Sequence, residues 1–147
     1  MKIIFLDIDG VLNSRQYDLT RGEGDGNIDQ SRLPLLKQLT DRTGAKIVLT
    51  STWRIHLGTD ETGREMEEVF RQGGITLYDK TPEMQNDRTK EISAWLERHP
   101  EVTAFVIIDD IKFGWGALAP MVVNTDYRIG WGLEPRHIER AMEILKK

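Results

Sequence analysis

The chain has 147 residues, 30% of them charged, no cysteine and a formal net charge of −4. The lack of cysteine excludes disulfides, thiolate zinc centres and cysteine nucleophiles, and the acidic balance is not that of a strongly basic nucleic-acid-binding module, although local arginines can still meet a phosphate. The length suits a single domain, residues 1–147, with a real core, and the first apolar run is too short for a signal peptide or a membrane span, so a soluble, cytoplasmic protein without membrane partners is expected.

Residues 2–6 (KIIFL) are a continuous apolar run and predict a buried strand. Residues 13–30 are rich in Gly, Asp, Asn and Arg and predict a long loop or flap, in which Arg15 and Arg21 either touch substrate or are solvated. A helix is expected over 32–43, capped by Ser31, with Leu33, Leu36 and Leu39 on its apolar side and Gly44 at its end. A second buried strand follows at 45–49. Residues 61–72 read as a helix presenting Met66, Val69 and Phe70; Gly73-Gly74 break it, and a third strand is expected at 75–78. Helix 87–98 carries Ile92, Trp95 and Leu96, strand 103–108 follows, a short strand is expected at 121–124, and a last helix begins near Pro135 with Ile138, Ala141, Met142 and Leu145 inward. Strands and helices alternate, and the strands lack polar alternation. That is the pattern of an α/β fold with a parallel sheet of about five strands covered on both faces.

Three of these strands end in residues able to do chemistry: Asp7 and Asp9, Thr50 and Ser51, Asp109 and Asp110. Ligands of open parallel sheets bind at the carboxyl ends of the strands, so neighbouring strands would gather four carboxylates and two hydroxyls in one place. Such carboxylates repel one another unless a cation sits among them, and oxygen ligands without Cys or His suit Mg²⁺. Asp7 and Asp9, spaced i and i+2, point to the same side in extended chain. One can attack phosphorus and the other can carry the proton. The positive charge that a phosphate needs could come from Arg88, Lys90, Lys80 or Arg54.

In this order the residues resemble the haloacid dehalogenase (HAD) superfamily. FLDIDGVLN is similar to its first motif, Thr50 at the end of KIVLT to the second, Lys90 or Arg88 to the third, and VIIDD to the fourth. The resemblance implies a Rossmann-like fold, with Asp7 as nucleophile and Asp9 as general acid/base. It implies Mg²⁺ held by Asp7, by Asp9 through its backbone carbonyl, and by Asp109 or Asp110. Thr50 would bind the transferred phosphoryl group, with Ser51 as the alternative, and Lys90 would do so in preference to Arg88. TSTWR, RTKEISAWL and TDYRIGWGLEP further resemble the small HAD domains associated with RNA repair and the phosphatase half of polynucleotide kinase-phosphatases. This implies hydrolysis of a phosphate, expected to be a 3′-phosphate, on an RNA or DNA end, and by analogy allows a kinase or ligase partner. The spacing of the motifs leaves no room for a full cap domain. The alternatives are a small-molecule phosphatase acting on a nucleotide or sugar phosphate, and a non-catalytic binding module of the same fold. Trp115 and Trp131, in glycine-flanked loops, are candidate base-stacking platforms, Trp95 is expected in the core, and His56, His99 and His137 show no metal spacing.

Overall fold

A computed structural model describes residues 1–20 and 25–146. Five strands, β1 (Lys2–Leu6), β2 (Lys46–Leu49), β3 (Leu77–Lys80), β4 (Ala104–Asp109) and β5 (Val122–Asn124), form one sheet in the order β3-β2-β1-β4-β5. All of its pairings are parallel. The helices are α1 (Arg15–Asp18), α2 (Leu33–Thr43), α3 (Glu61–Gln72), α4 (Arg88–Glu97) and α5 (Pro135–Lys146). The fold is the expected Rossmann-like α/β arrangement, and the described residues contain no inserted cap. No helix among them is long and apolar enough to cross a membrane.

Successive side chains of a strand face opposite ways. Ile4, Leu6, Ile47, Leu49, Val106 and Ile108 therefore share one core with Leu36 and Leu39 of α2, Met66 and Phe70 of α3, and Ile138 and Leu145 of α5. Ile3, Phe5, Val48 and Ile107 share the other with Ile92 and Trp95 of α4 and with Trp115. Both faces of the sheet are buried, which is why these strands read as unbroken apolar runs; each such side chain contributes about 1.5–3 kcal/mol by leaving water. The cores hold β1 in the middle, flanked by β2 and β4, so the three strand ends that carry polar residues are neighbours.

Away from the strand-end residues, the structure departs from expectation at the third strand, the flap and Trp115. The third strand begins at Leu77, two residues late. Ile75 is used to close α3: its N–H bonds the Phe70 carbonyl at 2.9 Å, and Gly74, at φ +74°, bonds the Arg71 carbonyl at 3.0 Å. This paired helix stop needs a left-handed residue, which glycine supplies, and it places Ile75 in the core instead of the sheet. The expected flap at 13–30 is not a free loop in its described parts: it contains α1, capped by Ser14, and buries Asn13, Asn27, Ile28 and Asp29. Arg15 is exposed, and Arg21 lies outside the described residues. Trp115 is no stacking platform, because its ring is buried and its Nε1 donates to the Ile111 carbonyl at 2.7 Å.

The start of α5 carries a pH-sensitive cap. The backbone N–H of Glu134 donates to Nδ1 of the buried His137 at 2.9 Å, a bond only the neutral ring can accept. Burial, and then the neighbouring Arg136, push the His137 pKa below its ordinary value of 6.5, although Glu134 and the Asn124 backbone pull it back in part. A depressed histidine stabilises the fold above its unfolded pKa, and that stability is lost as the pH falls through the folded value. The melting temperature of the native protein minus that of His137→Gln is therefore expected to shrink as the pH is lowered from 6.5, in paired thermal melts; a constant difference would contradict the cap.

Candidate active site

The loop after β1 is built to place carboxylates. Asp7 continues the ladder, its N–H bonding the Ile108 carbonyl at 3.1 Å, and the chain then turns sharply, with the Val11 and Leu12 N–H groups both bonding the Ile8 carbonyl. Gly10 sits in that turn at φ +81°. A Cβ on it would stand 2.3 Å from Oδ2 of Asp110, so a glycine here lets Asp110 reach the site. The buried Thr125 hydroxyl donates to the Gly10 carbonyl at 2.6 Å, and the Leu133 N–H bonds the Val11 carbonyl at 2.8 Å. The segment TDYRIGWGLEP thus serves as a brace for the aspartate loop. Trp131 within it is 44% exposed.

Asp7, Asp109 and Asp110 each offer a carboxylate oxygen within 4.8 Å of one another. Asp7 and Asp109 are buried and Asp110 is half-buried. Burial and the charge of Asp109 hold the Asp7 pKa well above the usual carboxylate range; Asp110 adds to this, while Arg88 and the Ile8 N–H oppose it. Asp110 is raised in the same way, by burial and then Asp109, and eased by a hydrogen bond from Asp7 and by the charge of Arg88. Three acids so placed cannot all ionise comfortably on their own, and a hard cation removes the conflict. Carboxylate oxygens, with no thiol or imidazole among them, fit Mg²⁺.

Asp9 departs from the expected arrangement. The chain has already turned at Asp9, so its side chain lies outside the carboxylate cluster and is exposed. It is nevertheless held firmly. Oδ1 accepts from the amides of Asn13 at 3.0 Å and Asn27 at 2.8 Å, and Oδ2 accepts from the Trp53 indole at 2.8 Å. The Asp9 side chain is thus an anchored carboxylate outside the cluster of Asp7, Asp109 and Asp110, while the expected hold of Asp9 on the cation was through its backbone carbonyl. Asn13, Asn27 and Trp53, which hold the Asp9 carboxylate, are candidate site residues that sequence reasoning missed as such. Only the polarity of the 13–30 loop hinted at two of them.

At the end of β2, the Thr50 N–H bonds the Leu6 carbonyl at 2.9 Å, and its hydroxyl is buried with no hydrogen-bond partner among the described residues. An orphaned buried hydroxyl costs about 1–3 kcal/mol, and its position beside β1 suits a ligand oxygen. The Ser51 hydroxyl instead accepts from the Trp53 N–H at 3.2 Å, capping the 3₁₀ turn Thr52–His56.

The cations resolve differently from expectation. Arg88, the first residue of α4, puts Nη1 2.6 Å from Asp109 and 3.3 Å from Asp7. Burial works against its charge, but Asp7 and Asp109 outweigh that and raise its pKa. Lys90 is two residues further round the helix, on a different face; it is exposed and its nearest acid is Asp87, at 3.9 Å. Against the expected preference for Lys90, it is Arg88 that reaches the carboxylates of the strand ends. Arg54 is corrected as well. It is buried, and its N–H groups donate to the carbonyls of Thr81, Thr50, Ser51 and Pro82 and to Glu91 at 2.8 Å, leaving no donor for a phosphate. Lys80 donates to the Arg54 carbonyl.

The model of the protein family described as "HAD domain in Swiss Army Knife RNA repair proteins" matches residues 3–136, which covers every residue of this site. No curated protein matches the chain. With the fold, the ordered strand-end residues and a match over most of its length in agreement, the chain belongs to the HAD domains found in Swiss Army Knife RNA repair proteins.

Proposed function

We propose that the protein is a Mg²⁺-dependent phosphomonoester hydrolase that works through an aspartyl-phosphate on Asp7 and removes a 3′-phosphate from a nucleic-acid end. The observation that carries this reading is the buried Asp7 carboxylate, which has Asp109, Asp110 and Arg88 around it and the unpartnered Thr50 hydroxyl on the adjoining strand end. Asp7 and Asp110 would hold Mg²⁺ with Asp109 beside them; Asp109 already accepts from Arg88 and from the Ile111 N–H at 2.9 Å. When bound, the ion would neutralise charge at the carboxylates and the phosphoryl oxygens.

Asp7 attacks phosphorus while the bond to the leaving oxygen breaks, and Asp9 delivers the proton that oxygen needs. Water then attacks the aspartyl-phosphate, Asp9 takes its proton, and Asp7 and inorganic phosphate are released. Thr50 donates to a phosphoryl oxygen, and Arg88 faces the developing negative charge. Asn13, Asn27 and Trp53 keep the Asp9 carboxylate at the mouth of the site. The lack of a cap among the described residues supports a bulky substrate such as a strand end.

The test is phosphate release from 3′-phosphorylated oligonucleotides beside mononucleotides and sugar phosphates, with Asp7→Asn as the control. Faster turnover of the oligonucleotides supports the proposal. Far faster turnover of small esters would replace it with the small-molecule phosphatase that the acidic net charge favours, and activity no higher than the control on every substrate would leave a binding module. Within the same assay Arg88→Ala is expected to lower kcat/KM by about 10²–10³-fold. Lys90→Ala, exposed and outside the site, is expected to stay within about 2-fold of the native protein.

A further inference from the structure

A pocket of about 370 Å³ adjoins the carboxylate cluster and shares Arg88 with it. Its walls come from the turn before α4, through Gln85 and Asn86, and from the loop after β4, through Ile111 and Phe113. Three features distinguish it from an ordinary surface dent.

Phe113 is 86% exposed, the most exposed large apolar side chain among the described residues. The turn is built at a conformational cost. Gln85 and Asn86 have φ of +58° and +60°, and the Asp87 N–H closes on the Met84 carbonyl at 3.1 Å, a primed turn of the kind glycine and asparagine usually fill. A glutamine held there points to a purpose for its side chain. Neither Gln85 nor Asn86 makes a side-chain hydrogen bond among the described residues, so two amides, each both donor and acceptor, stand free at the pocket wall. The turn is fixed from below, because the Met84 N–H bonds Glu91, which is paired to Arg54, and the opposite wall is tied to α4 by the Thr89 hydroxyl on the Gly114 carbonyl at 3.1 Å.

A flat aromatic face and two free amides, beside an arginine that reaches the carboxylate cluster, are what a nucleobase attached to a phosphate requires. We propose that this pocket is a subsite for the nucleobase next to the scissile phosphate, with Phe113 stacking on it and Gln85 and Asn86 hydrogen-bonding its edge. The inference rests on the phosphatase reading for which phosphate is meant, and it names what selects the substrate. A free nucleotide and a strand end present the same base-and-phosphate chemistry.

The test is equilibrium binding to Asp7→Asn, which blocks turnover, in Mg²⁺. The probes are a 3′-phosphorylated oligonucleotide and the same strand with an abasic terminal residue. The base is expected to strengthen binding by about 10-fold or more. Phe113→Ala, made in the same background at an exposed position, is expected to remove most of that ratio, and Gln85→Ala part of it. A nucleoside 3′-monophosphate run beside the strand identifies the source, since either ligand supports the subsite and the tighter one names it. Equal affinity for the two strands, a ratio that survives Phe113→Ala, or no binding of either strand would overturn the subsite. Phosphate release from the 3′-phosphorylated oligonucleotide by the native protein, set against Asp7→Asn, reports on the phosphatase reading separately, so the two can fail independently.

Discussion

Asp7→Asn is expected to abolish turnover, by at least about 10⁴-fold, while raising the melting temperature of the metal-free protein. The first effect follows from loss of the nucleophile. The second follows from electrostatics. Burial and the Asp109 charge raise the Asp7 pKa, so Asp7 favours the fold while protonated, and that contribution is lost as the pH rises through its folded pKa. Asparagine keeps the shape and the hydrogen bond from the Ile8 N–H at 2.8 Å, and carries no charge. The stabilisation by Asp7→Asn should therefore be small in acid and grow toward neutral and alkaline pH, reaching roughly several degrees. Mg²⁺ should do for the native protein what the substitution does, and should raise the melting temperature of the variant less. Thermal melts of both proteins across pH, with and without Mg²⁺, check this. A variant that melts lower than the native protein in metal-free buffer at neutral pH would mean that Arg88 already compensates the cluster.

Arg54→Ala is expected to be among the most damaging single substitutions, acting on stability and not on phosphate affinity. The Arg54–Glu91 pair is 3% and 2% exposed, and it ties the end of β2 to the segment after β3 and to α4. Removing the arginine takes its ion-pair partner from a buried carboxylate, which keeps only the Met84 N–H among the described residues, and its side-chain donors from four carbonyls. Breaking such a pair costs about 3–5 kcal/mol, a large share of the roughly 5–15 kcal/mol that holds a domain together. The melting temperature should fall by roughly 10 °C or more. Arg54→Lys should recover little, because an ammonium cannot reproduce the fork, whereas replacing both partners by apolar residues should recover more than either single change. A loss of substrate affinity with an unchanged melting temperature would return Arg54 to the phosphate site.

How much could be read in advance depended on the kind of information each residue carries. The apolar runs of β1, β2 and β4, and the polar residues that end them, are local patterns, and they led directly to a parallel sheet with its site at three strand ends. The start of β3 was missed because Ile75 is apolar in either role, and only the hydrogen bonds of Gly74 and Ile75 to α3 assign it to the helix stop. Arg54 and Arg88 are both arginines near a strand end or helix start. What separates them is the long-range partner of each, Glu91 for one and Asp7 with Asp109 for the other. Lys90 and Arg88 differ by a rotation about the axis of α4, which depends on how Ile92 and Trp95 seat that helix on the sheet. Asp9 was expected beside Asp7 by extension of the strand, but the turn at Gly10 begins at Asp9 itself. Asn13, Asn27 and Trp53 converge on Asp9 from three separate segments, and no spacing in the chain announces such a contact.

The central claim is that Asp7 takes up the phosphoryl group. Acid quenching during turnover of a 3′-phosphorylated oligonucleotide labelled in its terminal phosphate, followed by peptide mapping, tests it most directly. Acid-stable, alkali-labile label is expected on the peptide bearing Asp7, formed in native protein and missing from Asp7→Asn. Release of labelled phosphate with no covalent label at any time, or label on a residue other than Asp7, would contradict it.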